Sequence, residues 1–266
     1  MVTAALASEV HQQYHFKVRR HSSVSIVNPY GLISVKPSGG NQVIVNSVRF
    51  SDKVEIDQSQ GGNHVSVVSH LLDGADPVSG RVDYEVLVPS DASLTLRTTS
   101  GPLRAERLRG DLVLEGNTAT VDVRDISDGH VHVKTLNGPV TLTNVNDGHV
   151  EITSVNGDVA LNSVNGPLVL VNSTSGKIYY DGDFGDGGEY SLMTHTGDIE
   201  ATAPAFASID VVASSAHGKV ENDFLLTPTH SSIIFRAGSA FAGTMGKAAS
   251  TVKLLSFSGK IHLKKR

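Results

Sequence analysis

Four side chains in this sequence have the types and spacing of a metal-binding group. His130 and His132 lie in Gly129-His-Val-His132, and His149 and Glu151 lie in Gly148-His-Val-Glu151, 19 positions later. If the chain stacks on itself with that period, His130 comes against His149 and His132 against Glu151. Neighbouring strands would then be about 4.8 Å apart, and side chains two along a strand about 7 Å apart. Three imidazoles and a carboxylate at such spacing would take Zn²⁺ or another borderline divalent ion. The competing reading is a ladder of polar surface residues, because an outward sheet face offers imidazoles few partners to orient them.

A second group is Asp181-Gly-Asp183-Phe-Gly-Asp186-Gly-Gly-Glu189. Carboxylates in a glycine-rich loop suit Ca²⁺, a hard ion that wants several oxygens. The spacing departs from the helix-loop-helix calcium pattern, since Gly185 stands where that pattern has a fifth-position ligand. The plainer reading is a solvated turn that interrupts a regular repeat. Such an interruption is also where a partner would bind, through Asp181, Asp183, Asp186 and Glu189.

Other constellations are weaker. Asp158, Lys177, Asp198 and Lys219 each follow a glycine at a repeating interval and alternate in sign. Opposite charges across strands contribute about 0.2–1 kcal/mol per pair, which suits setting a register better than catalysis. Arg97, Arg104, Arg107 and Arg109 would attract acidic glycans or form a solvated face. A polysaccharide lyase or hydrolase needs a metal with Arg or Lys, or paired carboxylates in a groove. Here the expected outward residues are mostly Thr, Asn, Ser and Ala. Tyr179, Tyr180 and Tyr190 are the exceptions that would serve as sugar platforms. No nucleophile elbow or Gly-Lys-Ser/Thr phosphate loop is present.

These groups are positioned by a repeat. The phrase Gly-x-aliphatic-x-aliphatic-x-x-aliphatic recurs from Gly101 to Gly176 at intervals of nine or ten, with Ala119 in the glycine position between Gly110 and Gly129, and later copies stand at Gly197, Gly218 and Gly259. Alternate copies fall about 19 apart, as at 110, 129, 148 and 166. Period-two alternation places Val140, Leu142 and Val145 on one face and Thr141 and Thr143 on the other. The triplets Val131, Val133, Leu136 and Val150, Ile152, Val155 are expected inward by the same rule. Gly and Asn at the corners are expected to supply positive φ. The pattern predicts an all-β fold: a single-stranded, right-handed parallel β-solenoid of about 19 residues per coil, β-helix-like, with irregular β caps at both ends.

The expected organisation is one domain over residues 9–266. Entry strands are expected within 9–99, at 23–27, 32–36, 42–48, 53–57, 64–69 and 81–88; regular repeats occupy 100–224; and a C-terminal cap over 225–266 contains a Gly/Ala/Ser-rich loop at 237–250 and then two closing strands at 252–257 and 260–263. In residues 1–8, Ala5-Leu6-Ala7 has the small-x-small form of a signal-peptidase site, which predicts a signal-peptide remnant or a disordered start. The chain has 266 residues, no cysteine, no tryptophan and a net charge of −5, so neither a disulfide framework nor a general nucleic-acid surface is expected. No apolar run reaches the length of a membrane-spanning segment.

The chain resembles the bacterial putative-adhesin domain family of unknown function, whose members are envelope-associated β-solenoids. The resemblance lies in Asn28-x-x-Gly31-x-Ile-x-Val35, in the run of Asn/Ser-Gly-x-Val/Ile units, and in Gly243-x-x-Gly246 with Val252-x-Leu-x-Ser-x-Ser-Gly259-x-Ile-x-Leu263. It implies an extracytoplasmic, non-catalytic scaffold with no required cofactor. The implied partner is an envelope polysaccharide or another surface protein. The alternatives are a polysaccharide-active β-helix enzyme and a metal-responsive envelope accessory protein built on the His130 group.

Overall fold

The computed structural model describes residues 9–228 and 239–266, and every described element is a strand. The expected signal-peptide remnant at 1–8 lies outside the described residues, as do positions 237 and 238 of the Gly/Ala/Ser-rich segment. The chain divides into two compact units, one ending at Asp122 and one starting at Val123.

The first unit carries β1 (Val10–Lys17), β2 (Ser23–Tyr30), β3 (Ile33–Pro37), β4 (Gln42–Arg49), β5 (Val54–Gly61), β6 (His64–Leu71), β7 (Val82–Val88), β8 (Ser93–Ser100), β9 (Leu103–Glu106) and β10 (Leu112–Thr118). They form two sheets, β1-β4-β7-β3-β9 and β5-β6-β2-β8-β10. β2 pairs in parallel with both β6 and β8, and β3 with both β7 and β9. The antiparallel pairs β1–β4, β4–β7 and β5–β6 flank this parallel centre.

The second unit carries β11 (Val121–Ser127), β12 (Val131–Asn137), β13 (Val140–Asn146), β14 (His149–Asn156), β15 (Val159–Asn165), β16 (Leu168–Ser173), β17 (Ile178–Asp181), β18 (Glu189–Thr194), β19 (Ile199–Ala203), β20 (Ile209–Ser215), β21 (Val220–Asn222), β22 (Ala240–Met245), β23 (Ser250–Ser256) and β24 (Ile261–Lys265). Its sheets run β11-β13-β15-β17-β19-β24-β21 and β12-β14-β16-β18-β23-β20-β22. Val131 faces Val150, Val140 faces Val159 and Val150 faces Val169, each an offset of 19.

The two sheets bury different patterns. In the first, Val121, Val123 and Ile126, then Val140, Leu142 and Val145, then Val159, Leu161 and Val164 are all buried. The residue before the third member is left-handed in each case: Asp125 (φ 55°), Asn144 (φ 55°) and Ser163 (φ 53°). That one residue takes up the extra position and turns the third apolar side chain inward. In the second sheet alternation is strict, so the third inward residue is a hydroxyl. Thr135 and Ser154 are buried, Leu136 is 45% exposed and Val155 is only half-buried. The expected inward places of Leu136 and Val155 are therefore corrected.

The buried hydroxyls cap the corners. Ser154 Oγ accepts from Gly157 N (3.2 Å) and donates to Gly157 O (3.1 Å). Ser173, Thr194, Ser215 and Ser256 likewise accept from the N–H of Gly176, Gly197, Gly218 and Gly259. The expected positive φ is found at the corner glycines Gly31, Gly101 and Gly138 (φ 113°, 142° and 118°), whereas at the later corners glycine is needed for close approach instead. A Cβ on Gly157 would lie 1.9 Å from Gly138 O, far inside any real contact, and Gly157 is outside the left-handed region. The column Gly138, Gly157, Gly176, Gly197 repeats that contact, and it continues to Gly259 and then Gly218.

Two further corrections concern the C-terminal part. Within the segment expected to be a Gly/Ala/Ser-rich loop, Ala240–Met245 is a strand, paired antiparallel with β20. The strands β23 and β24 do not close the end of the stack. They sit between β18 and β20 and between β19 and β21.

Candidate functional site

The structure brings the four metal candidates together as two pairs. The rings of His130 and His149 stack with centroids 4.6 Å apart and planes within 5°. His132 Nδ1 lies 3.4 Å from Glu151 Oε2, as the β12–β14 register requires. Parallel rings direct their nitrogens alongside one another rather than at one point. A tetrahedral ion bound at about 2.0–2.1 Å would need nitrogens about 3.4 Å apart. Among the described residues no group of three or more His, Asp or Glu is placed to hold a metal.

The acidic loop is built around an aromatic plug. Tyr180, Phe184 and Tyr190 are fully buried. Tyr180 and Phe184 stack at 4.4 Å, and Tyr190 meets Phe184 edge-on at 5.2 Å. Tyr180 Oη accepts from Phe184 N at 3.0 Å and donates to Val164 O at 3.3 Å. Burial pushes both tyrosine hydroxyls above the usual phenol range. Tyr180 and Tyr190 are therefore core residues, and the expectation that they serve as exposed sugar platforms is corrected.

The loop carboxylates are directed apart. Asp181 pairs with Arg266, and Glu189 lies 3.2 Å from Lys253 Nζ. Asp183 Oδ1 accepts from Gly185 N at 3.0 Å, and the Asn165 amide, oriented to satisfy its neighbours, donates to the same oxygen at 2.8 Å. Asp186 is exposed at the tip. The arrangement ties the loop to the stack, and it does so with side chains spread over several strands.

The remaining charges behave as lateral ties. Asp158 Oδ1 accepts from Lys177 N (2.8 Å), and Asp198 Oδ1 accepts from Lys260 N (2.8 Å). Lys260 thus stands between Asp198 and Lys219, so the alternating ladder read from the sequence is interrupted. Arg97 pairs with Glu115 at 2.7 Å and Arg107 with Glu106 at 3.0 Å, which occupies two members of the arginine cluster. Asn156 Nδ2 donates to Asn137 Oδ1 (3.0 Å), and Ser175 Oγ donates to Asn156 Oδ1 (2.8 Å), forming a polar row.

Sequence reasoning missed one concentration of charge. His262 on β24 meets Asp223 at 2.9 Å and Glu221 at 3.9 Å, and Lys264 meets Glu200 at 2.7 Å. The hydrogen bond from His262 holds Asp223 below the usual carboxylate range, and that from Lys219 does the same for Glu221. The available signal was the absence of any Asp or Glu after Asp223. The first unit has a broad depression of about 680 Å³ lined by His11, Gln12, Gln13, Asn46, Asp83 and Glu85 among others. None of the residues singled out from the sequence lines it.

No curated protein matches the chain. Solved structures similar to it include a "putative cell adhesion protein" from Clostridium sporogenes, 12% identical over 97% of this chain and 100% of that one, with a TM-score of 0.33. A "putative adhesin" from Bacteroides fragilis is 12% identical over 98% and 99%, with a TM-score of 0.46. Another from Parabacteroides merdae is 12% identical over 96% of each chain, with a TM-score of 0.27. The family model described as Toastrack DUF4097 matches residues 32–264. The chain, read through its glycine-cornered parallel strands and this match, belongs to the Toastrack DUF4097 family.

Proposed function

We propose that the protein is a non-catalytic, extracytoplasmic scaffold that binds an envelope polysaccharide or another surface protein through rows of outward polar side chains. In this reading the strands form turns of a right-handed, single-stranded β-solenoid of about 19 residues per coil, with irregular β caps at its ends. The observation that carries the reading is the hydrogen-bonded row Asn137, Asn156 and Ser175, in which side chains 19 positions apart hold one another in fixed orientation. A flat, pre-ordered array of this kind loses little side-chain entropy on binding, and its many weak contacts add. Of the loop carboxylates, Asp181 and Glu189 are tied to Arg266 and Lys253, and Asp183 accepts from Gly185 N within the loop.

The reading is tested by single and cumulative alanine replacements at Asn137, Asn156 and Ser175, measured as retention on immobilised polysaccharide. A scaffold loses retention step by step, and added Zn²⁺ or Ca²⁺ leaves it unchanged. Abolition by one replacement, or strict dependence on an ion, contradicts it.

A further inference from the structure

The last strands of the chain occupy a place that the order of synthesis does not give them. β23 lies between β18 and β20, and β24 between β19 and β21. All four flanking strands precede this pair in sequence, so a slot must be left for a segment that arrives last.

Charge is divided between slot and segment. Residues 178–223 hold nine Asp and Glu and one Lys, whereas residues 224–266 hold seven Lys and Arg and no Asp or Glu. The inserted segment meets its flanks with these cations. Lys253 pairs with Glu189, Lys264 with Glu200 and Arg266 with Asp181, and the His262 ring hydrogen-bonds to Asp223.

The register shows why the slot stays open. Glu189 and Asp210 both face Thr251, and Glu200 and Glu221 both face His262. Closing β18 directly on β20 in that register would set Glu189 opposite Asp210, and closing β19 on β21 would set Glu200 opposite Glu221. Like charges directly opposite oppose pairing. The slot is thus built against self-closure and for a basic strand pair.

We propose that this acidic slot also accepts the β23–β24 segment of a second copy of the chain, giving a strand-exchanged dimer. A second copy offers the same backbone pairs and the same cations, so exchange replaces each contact with an identical one. β22 stays paired with its own β20, and only the four residues 246–249, with Ala248 in the left-handed region (φ 54°), join it to β23; a short, strained hinge of this kind invites exchange with a copy packed close by. Opposite fields on slot and segment direct the encounter and weaken with salt.

A charge-exchange pair of full-length chains tests this. One carries Glu189→Lys and Glu200→Lys; the other carries Lys253→Glu and Lys264→Glu. Each is mismatched within itself, and each slot matches the other's segment. After co-refolding at low salt, mass measurement should find a dimer containing one of each. Its ratio to monomer should exceed that of either chain alone by about tenfold, the change to which two exposed ion pairs convert. The unreversed sequence gives a second readout, since the native chain has no cysteine. A chain with Met193→Cys should cross-link to one with Leu255→Cys, which faces it, and not to one with Thr251→Cys, which faces Glu189. Monomers only in the mixture, or cross-linking indifferent to position, would overturn the proposal.

Discussion

Replacing Ser154 by Ala isolates the feature that distinguishes the two sheets. Its hydroxyl is buried and satisfies both the N–H and the C=O of Gly157, at 3.2 and 3.1 Å. Each such bond contributes about 0.5–1.5 kcal/mol net, and Ala leaves both backbone groups unpaired in a corner closed to water, so the loss should be about 2 kcal/mol. Val155 next to it is half-buried. Its truncation to Ala removes two methyl groups from partial cover and should cost under about 1 kcal/mol. For a unit of this size the serine variant should melt about 4–8 °C lower and the valine variant about 1–3 °C lower. Thermal unfolding followed by circular dichroism measures both. If Val155→Ala is the more damaging, strict alternation through Ser154 is wrong and the simple apolar triplet is right.

Further outcomes follow from the same geometry. Gly157→Ala should destabilise by about 3 kcal/mol or prevent folding, whereas Gly39→Ala, where an added Cβ meets nothing within 4 Å, should be neutral in the same melting assay. Val150→Asp places a carboxylate in the core and should abolish cooperative unfolding, while Thr141→Asp, on the outward face, should be tolerated; equal tolerance in a soluble-expression and melting comparison contradicts the register. Asp223 and Glu221 have depressed folded pKa values, so their contribution is present above about pH 4 and lost as pH falls through the folded value. The melting temperature should therefore fall on acidification below about pH 4, and Asp223→Asn should flatten that fall; an unchanged profile contradicts it.

Much of the strand content was legible because strands announce themselves by alternation. The stretches expected at Ser23–Val27, Gln42–Val48 and His64–Ser69 all lie within observed strands. The offset of 19 between Val131 and Val150 was also readable from glycine spacing. The third inward position was not, because Thr135 and Ser154 are polar and only their bonds to the corner reveal why they are buried. Nor was the place of β23 and β24 readable. The repeats carry similar apolar residues, so their pattern alone did not tell which strands β23 and β24 lie between. Ala240–Met245 was obscured by its small residues, which resemble a loop in composition and yet pair along the edge of β20. In the candidate groups, spacing correctly set His130 against His149 and His132 against Glu151. Spacing gave no information on ring orientation, which separates a stacked pair from a chelating one.

The most direct measurement is to incubate the purified chain with a panel of envelope polysaccharides, with and without Ca²⁺ and Zn²⁺. Bound protein and released oligosaccharide are recorded in the same tubes. Binding without release, unchanged by either ion, is the predicted result. Release of oligosaccharide, above all if it requires an ion and disappears with Asp183→Ala or Asp186→Ala, would contradict the scaffold and make the protein an enzyme.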